Sequence, residues 1–445
     1  MLPDDALLEI FVSFLDNTAN VDLWHTLMYV CRRWRNVVLA SPRYLDLQLR
    51  CTEKTPVREM LHLWPALPIV ISGSGNLLKG TDNIIAALQH HDRICQIVLR
   101  GISISLLEKF AAANVMDVRP FPALTSLMLW SDGESAQVVP GSFPVGSAPR
   151  LRALWLDFTP FLGLRRLLLS ANNHLVILHL WDIPHSGYIS PQVMATCLAS
   201  MTSLESFALG FDPTRSRPNQ QSRRLPLPTP ATLPALVVLE FMRVSEYLED
   251  LLARVDCPAL HSVQITLFLQ LILSISQLPR LIGRTEKLKR MNEAVVAFYD
   301  HFVQVTFYPT LAPHNRIELR VSCTGSDWQL SSLAQICNSF VLPTSPLCIL
   351  DGLHQPPCWQ DDMESAQWLE FLHPFTSVGK LYLPNQLALR VGAILQGLSE
   401  ERVTDVLPAL RDLAFEVGPL KAVQERIEQF VAVRQISCHP TANHW

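Results

Sequence analysis

One short pattern recurs along this chain. It has an apolar residue, two variable ones, an apolar one, a variable one, then another apolar residue. The copies are ICQIVL (Ile94 to Leu99), LTSLML (Leu124 to Leu129), LRALWL (Leu151 to Leu156), LVILHL (Leu175 to Leu180), LESFAL (Leu204 to Leu209), LVVLEF (Leu236 to Phe241) and LHSVQI (Leu260 to Ile265), followed late in the chain by VGKLYL (Val378 to Leu383) and LRDLAF (Leu410 to Phe415). From Ile94 to Leu260 the starts lie 30, 27, 24, 29, 32 and 24 residues apart, and the last two copies are 32 apart. Several copies follow a proline, as in FPALTSLML, LPALVVLEF, CPALHSVQI and LPALRDLAF. The alternating end of each copy is a short strand, and the residues between copies give room for a helix and a return. One such unit cannot cover its own apolar face, whereas stacked units can.

A repeat of this length with this strand is the sequence form of a leucine-rich-repeat solenoid, an α/β fold. LDLQL (Leu45 to Leu49) and PIVIS (Pro68 to Ser72) read as earlier, degenerate rungs. The asparagine that regular leucine-rich repeats carry after the strand is missing, so the rungs are irregular. Between Ile265 and Val378 the pattern blurs: AVVAFYDHFVQVTFYP (Ala294 to Pro309) reads as two strands with a turn at Asp300-His301, and IELRVSC and PLCIL as further strands. Two turn-rich loops interrupt the array, near residues 131–149 and 212–234. The second combines Arg215, Arg217, Arg223 and Arg224 with six prolines. That composition packs no core; it is either a solvated insertion or a docking or nuclear-import segment.

The first 45 residues differ in texture. LPDDALLEIF (Leu2 to Phe11) opens a helix: Asp4 and Asp5 occupy a first turn that favours negative charge, just after Pro3. The helix is expected to run to about Leu15. A second helical stretch, VDLWHTLMYVCRRWRNVVLAS, is expected to split near His25 and to end by Pro42. Leu7, Phe11 and Phe14 share one face, with Leu8 and Leu15 beside it and Ile10 widening the band. Val30, Cys31, Trp34, Val37 and Val38 form a second apolar cluster. Three short helices cannot hide all of this from water. The surplus either caps the repeat array or marks an interaction site.

Leu2-Pro3, LLEIF, Leu15, Asp22-Leu23 and VCRRW, with Pro42 and Tyr44-Leu45 downstream, resemble an F-box. The remainder, including the ending FVAVRQISCHP, resembles the irregular leucine-rich-repeat arrays of fungal F-box proteins. The resemblance implies a three-helix F-box over residues 1–45, then a curved αβ solenoid over 46–445. It further implies a substrate-recognition adaptor of a Skp–cullin–F-box ubiquitin ligase, which docks the Skp adaptor, and through it a cullin, and binds a client protein. The motif residues carried over are Leu2, Pro3, Leu7, Leu8, Ile10, Phe11, Leu15, Val30, Cys31 and Trp34. Some would contact the adaptor and some would hold the helices together; sequence does not sort them. The alternative role is a protein-interaction scaffold whose F-box no longer enters a ligase.

If the strands have their fourth and sixth residues inward, the fifth and seventh face out. This places Met128 and Trp130, Trp155 and Asp157, and His179 and Trp181 outward on three successive rungs. Tryptophan is enriched in binding hot spots, so this is the candidate client surface. The alternatives are that loops cover it or that the frame is off by one.

Other function classes find little support. Charged residues make up 17% and the net charge is −4, which gives no electrostatic case for nucleic acid. The uncharged stretches Cys257 to Pro279 and Trp328 to Leu350 are broken by Gln264, Gln270 and Gln277, and by Asn338, Pro343 and Pro346. They read as core elements rather than membrane spans. The first residues are acidic and do not read as a secretory signal. The ten cysteines contain no CxxC pair, so free thiols in a reducing compartment, cytoplasmic or nuclear, are expected. GSGNLLKGT (Gly73 to Thr81) is not a Walker A loop, because no GK[ST] ends it. His174, His179, His185 and Asp182 match no common metal spacing, and Asp361, Asp362 and Glu364 read as a solvated acidic turn. No catalytic set, metal or cofactor is expected; an enzyme hidden between Thr266 and Ser377 is the remaining rival.

Overall fold

A computed structural model describes residues 2–16, 24–54, 57–63, 66–74, 80–103, 109, 120–131, 148–157, 168, 174–183, 188–211, 230–243, 245–268, 276–299, 301–309, 315–322, 326–339, 347–351, 365–383, 391, 394–395, 406–416, 432 and 436–441. Most of the expected loops at 131–149 and 212–234, and all of Asp361, Asp362, Glu364 and His185, lie outside the described residues. The fold is α/β and its strands are mostly parallel. The chain divides into two compact units: Met1–Ile189 with Ser200–Leu204 and Thr214–Ser216, and Ser190–Ala199 with Glu205–Pro213 and Arg217–Trp445.

The first unit opens with three helices, α1 (Asp4–Asp16), α2 (Trp24–Val30) and α3 (Arg32–Ala40). Leu7, Phe11, Trp24, Leu27, Met28, Val37 and Val38 are buried between them. Trp34 meets Phe11 edge-on at 4.8 Å, and Trp24 Nε1 donates to the Gln48 carbonyl at 3.0 Å. The break between the second and third helices falls at Cys31, not near His25. Cys31 is extended (φ −160°, ψ 168°), and its Sγ accepts from the Trp34 amide at 3.5 Å. A side-chain acceptor at the N-cap ends one helix and starts the next.

Six strands follow, all parallel and side by side in chain order: β1 (Leu49–Cys51), β2 (Ile69–Gly73), β3 (Ile94–Ile102), β4 (Ser126–Ser131), β5 (Ala153–Asp157) and β6 (Ile177–Ile183). Parallel neighbours need crossovers; α4 (Val57–Leu63) and α5 (Thr81–Leu88) supply two. The recurring leucines are the reason for the stack. Leu124, Leu151 and Leu175, which open their copies, are completely buried, as are Leu127, Leu154 and Leu178 further along. The variable residues also stack: Thr125 N donates to Cys95 O, Arg152 N to Thr125 O and Val176 N to Arg152 O, each at 2.8 Å. The first degenerate rung is shorter than LDLQL suggests, because pairing begins only at Leu49. Gly80, the last glycine of GSGNLLKGT, sits at φ 101° before α5, and a Cβ there would come 2.1 Å from the Glu53 carbonyl oxygen. A close backbone turn explains this glycine without any phosphate.

The second unit contains α6 (Pro191–Leu198), β7 (Ser206–Phe211), β8 (Ala231–Thr232), β9 (Val238–Arg243), α7 (Ser245–Leu252), β10 (Val255–Asp256), β11 (Ser262–Phe268), α8 (Gln277–Arg284), β12 (Glu293–Phe298), β13 (Phe302–Tyr308), β14 (Arg316–Ser322), α9 (Ser326–Ser339), β15 (Leu347–Asp351), α10 (Ser365–Leu372), β16 (Lys380–Leu383), β17 (Asp412–Glu416) and β18 (Ser437–Thr441). Its strands lie in the order β7-β9-β11-β14-β13-β12-β15-β16-β17-β18, with β8 and β10 forming a separate parallel pair. All nine copies of the pattern form strands.

The departure from simple succession is the hairpin of β12 and β13. Phe298 pairs with Val303 in antiparallel register, and Tyr299 N donates to Phe302 O at 2.9 Å. β13 therefore runs against both its neighbours, and β14 rather than β12 lies beside β11. The two strands and the turn near Asp300-His301 match the sequence expectation; Asp300 itself is outside the described residues. Among the described residues no helix is long and apolar enough to cross a membrane.

Candidate functional site

In α1, the residues one helical turn apart that face the other helices, Leu7 and Phe11, are buried at 3% and 0% exposure. The apolar side chains beside that face, and others on the same helical unit, are not. Leu2, Ile10, Phe14, Tyr29, Val30 and Tyr44 are the exposed large apolar residues among those described, and all six lie between Leu2 and Tyr44. The rest of the described chain shows none.

Local hydrogen bonds hold this surface in place. The Arg33 guanidinium donates to the Leu2 carbonyl and to Asp4 Oδ1, the latter at 2.7 Å from Nη2 and 3.0 Å from Nε. The Leu2-Pro3 segment is thereby tied to α3, two positions past Cys31. On the other side the Tyr44 hydroxyl donates to Glu9 Oε1 at 2.6 Å. That hydrogen bond, and the charge of Glu9, raise the Tyr44 phenol above its ordinary range and keep it a neutral donor. The exposed Arg33–Asp4 pair adds about 0–1 kcal/mol, so its value is positional.

The structure sorts the expected motif residues. Leu2, Pro3, Ile10, Val30 and Cys31 are exposed; Leu8, Leu15 and Trp34 are half-buried; Leu7 and Phe11 are core. Phe14, read from the sequence as part of the apolar face of the first helix, and Tyr44, read as part of the motif downstream, join the exposed set although neither is among the ten motif residues. Nothing local distinguishes Tyr29 or the Arg33 tie.

A second surface lies on the strands of the same unit. Leu127, Leu129, Leu154, Leu156, Leu178 and Leu180 are buried, and Met128, Trp130, Trp155, Asp157 and Trp181 between and beside them are half-buried. The outward frame is therefore as expected, with one change: His179 is only 8% exposed. Register places Met128, Trp155 and His179 in one row, and Arg100, Trp130, Asp157 and Trp181 in the next. Trp155 lies 4.2 Å from His179 and 6.4 Å from Trp130, and His179 lies 6.4 Å from Trp181, centroid to centroid. The Arg100 guanidinium sits 5.0 Å over the Trp130 ring. Burial lowers the His179 imidazole to about 4, so the middle of the ladder is neutral near pH 7. Trp155 Nε1 is buried and finds no hydrogen-bond partner among the described residues.

In the second unit the corresponding face carries charge. Glu318, 3% exposed, lies 2.7 Å from Arg320 Nε and 3.6 Å from Arg316 Nε. Arg320 also donates to Gln304 Oε1 at 2.9 Å and covers the Phe302 ring at 5.5 Å. Burial raises the nearby Glu240 carboxyl, Arg316 opposes the shift and Glu318 adds to it. Both arginines lie within ion-pair distance of the buried carboxylate, and Arg320 joins β14 to β13 through Gln304; the group contains no nucleophile–base pair. Cys31, Cys51, Cys95, Cys197, Cys257 and Cys337 form no disulfide. Burial pushes the Cys257 thiol up to about 12 and raises that of Cys337, so neither is a ready thiolate. Among the described residues no cluster of three His, Cys, Asp or Glu could hold a metal ion.

No family model matches the chain, and no curated protein matches it.

Proposed function

We propose that this chain is a substrate-recognition adaptor of a Skp–cullin–F-box ubiquitin ligase. In this reading α1–α3 are the F-box, docking the Skp adaptor, and the stacked strands form a leucine-rich-repeat-like solenoid that captures a client protein. Ubiquitin transfer then uses the active sites of partners, and this chain supplies proximity. The reading places it in the cytoplasm or nucleus.

The observation that carries the reading is that, among the described residues, the exposed large apolar side chains are confined to the segment Leu2–Tyr44. Isolated apolar residues are common on protein surfaces, but six gathered on one small helical unit are a docking surface. In this reading the exposed motif residues Leu2, Pro3, Ile10, Val30 and Cys31 are the contact set, the buried Leu7 and Phe11 are the framework, and Leu8, Leu15 and Trp34 lie between. Phe14, Tyr29 and Tyr44 join the contact set.

The test is a pull-down of the tagged full chain against Skp adaptor and cullin, beside a Leu2→Ala/Ile10→Ala/Val30→Ala variant. Recovery of both partners by the wild type and of neither by the variant supports the ligase reading. Recovery of the adaptor without cullin favours a scaffold outside the ligase, and recovery of neither by the wild type removes the docking reading altogether.

A further inference from the structure

Where β3 ends, the backbone is shaped around one side chain. Gly101 takes φ 66°, and the pairing of β3 with β4 slips between Arg100 and Ile102. A slip at a left-handed glycine is a bulge, and bulges re-aim the side chain beside them. Here that side chain is Arg100. It is exposed, and its guanidinium carbon lies over the Trp130 ring on β4, 5.0 Å from the centroid. An aromatic face engages the flat of a guanidinium and spares the N–H donors along its edge. Among the described residues no carboxylate pairs with those donors. Asp157, in the same row two strands on, is itself engaged. Beside the arginine, Met128 and Trp130 keep half their surface open.

A guanidinium held by a bulge and a ring, with its donor edge open, has lost part of its rotamer freedom before any ligand arrives, and its fork matches a carboxylate. We infer that this corner of the sheet binds an acidic peptide. The carboxylate of one Asp or Glu side chain accepts from the Arg100 fork, and an apolar neighbour of that residue lies on Met128 and Trp130. The inference deepens the client-capture half of the adaptor reading and rests on it for biological meaning: the client would offer an acidic residue beside an apolar one. A nucleic acid fits less well. It would set phosphates in series against a row with one cation and a carboxylate, on a chain of net charge −4.

The test uses the full chain with 15N-labelled tryptophan, the Trp130 indole resonance assigned through Trp130→Phe. Acetyl-GSGELGSG-amide is titrated beside versions with glutamine or arginine in place of the glutamate, and beside sodium acetate and a single-stranded oligothymidylate. The glutamate peptide is expected to shift the Trp130 signal saturably and to bind about fivefold more tightly than the glutamine version. Arg100→Gln is expected to abolish that preference, and Arg100→Lys, which keeps the charge without the planar fork, to reduce it. Equal binding of the glutamine or arginine peptide, no shift with the glutamate peptide, or an unaltered preference in either variant would overturn the inference. So would an equal response to acetate, or a response to the oligothymidylate alone. Capture of the Skp adaptor, measured on the same samples, separates the two ideas. Intact capture without peptide binding overturns only this inference, and peptide binding without capture overturns only the docking reading.

Discussion

At the scale of single residues, α1 places side chains of opposite consequence side by side. Phe11 is wholly buried and packs against Trp34, whereas Ile10, one position away, is 48% exposed. Phe11→Ala removes a core ring and should destabilise the helical unit by about 3–5 kcal/mol. Ile10→Ala should cost less than about 0.5 kcal/mol. Hydrogen exchange over residues 2–16 checks this: Phe11→Ala should accelerate it by orders of magnitude, and Ile10→Ala should leave it unchanged. Rates that move together would mean that the exposed face is part of the core. His179 makes a pH prediction at the same scale. Its folded value, about 4, lies below its ordinary 6.5 because burial disfavours the charged ring. Between those values the unfolded chain takes up a proton that the folded one refuses, so stability falls as pH drops from 6.5 towards 4. At pH 5 the loss relative to pH 7 is about 2 kcal/mol. Urea midpoints at the two pH values should therefore differ by less in His179→Gln than in the wild type. A difference unaltered in the variant would contradict a neutral buried ring.

At the scale of elements, strands were far more legible than their partners. The φxxφxφ spacing depends on local alternation, and burial of Leu124, Leu127 and Leu129 follows from it directly. Helix ends were less legible, since the break at Cys31 depends on a sulfur acceptor that no apolar period records. The hairpin was readable as two strands and a turn, but its consequence was not. That β14 rather than β12 lies beside β11 is decided by pairing of residues about fifty positions apart, Val263 with Ile317 among them. α8 offers a further instance. Its own Ser276 makes no side-chain cap; instead Glu249, from α7, accepts from the Ser276 and Gln277 amides at 2.6 Å each and from the Leu278 amide at 3.2 Å. This carboxylate does the work of an N-cap from the preceding helix, and Glu249→Ala should destabilise the second unit by about 1 kcal/mol. Thermal or urea unfolding of the variant measures it, and an unchanged midpoint would show that water replaces the carboxylate without loss.

At the scale of the whole molecule, the passage from helices to a strand repeat was legible because the two textures differ. An apolar surplus in the first 45 residues and a strand repeat afterwards are both present in composition and spacing alone. Which motif residues face outward was not, because Leu7 and Ile10 are equally apolar and only packing separates them. We propose that the outward set is a docking surface for the Skp adaptor. Equilibrium titration of the purified full chain with purified adaptor tests it most directly, comparing the wild type with Leu2→Ala/Ile10→Ala/Val30→Ala at matched thermal stability. Truncating three contact residues at about 1–2 kcal/mol each predicts an affinity loss of roughly 100-fold or more, with the melting temperature unchanged. Equal affinities for the two proteins, or no measurable binding by the wild type, would contradict the claim.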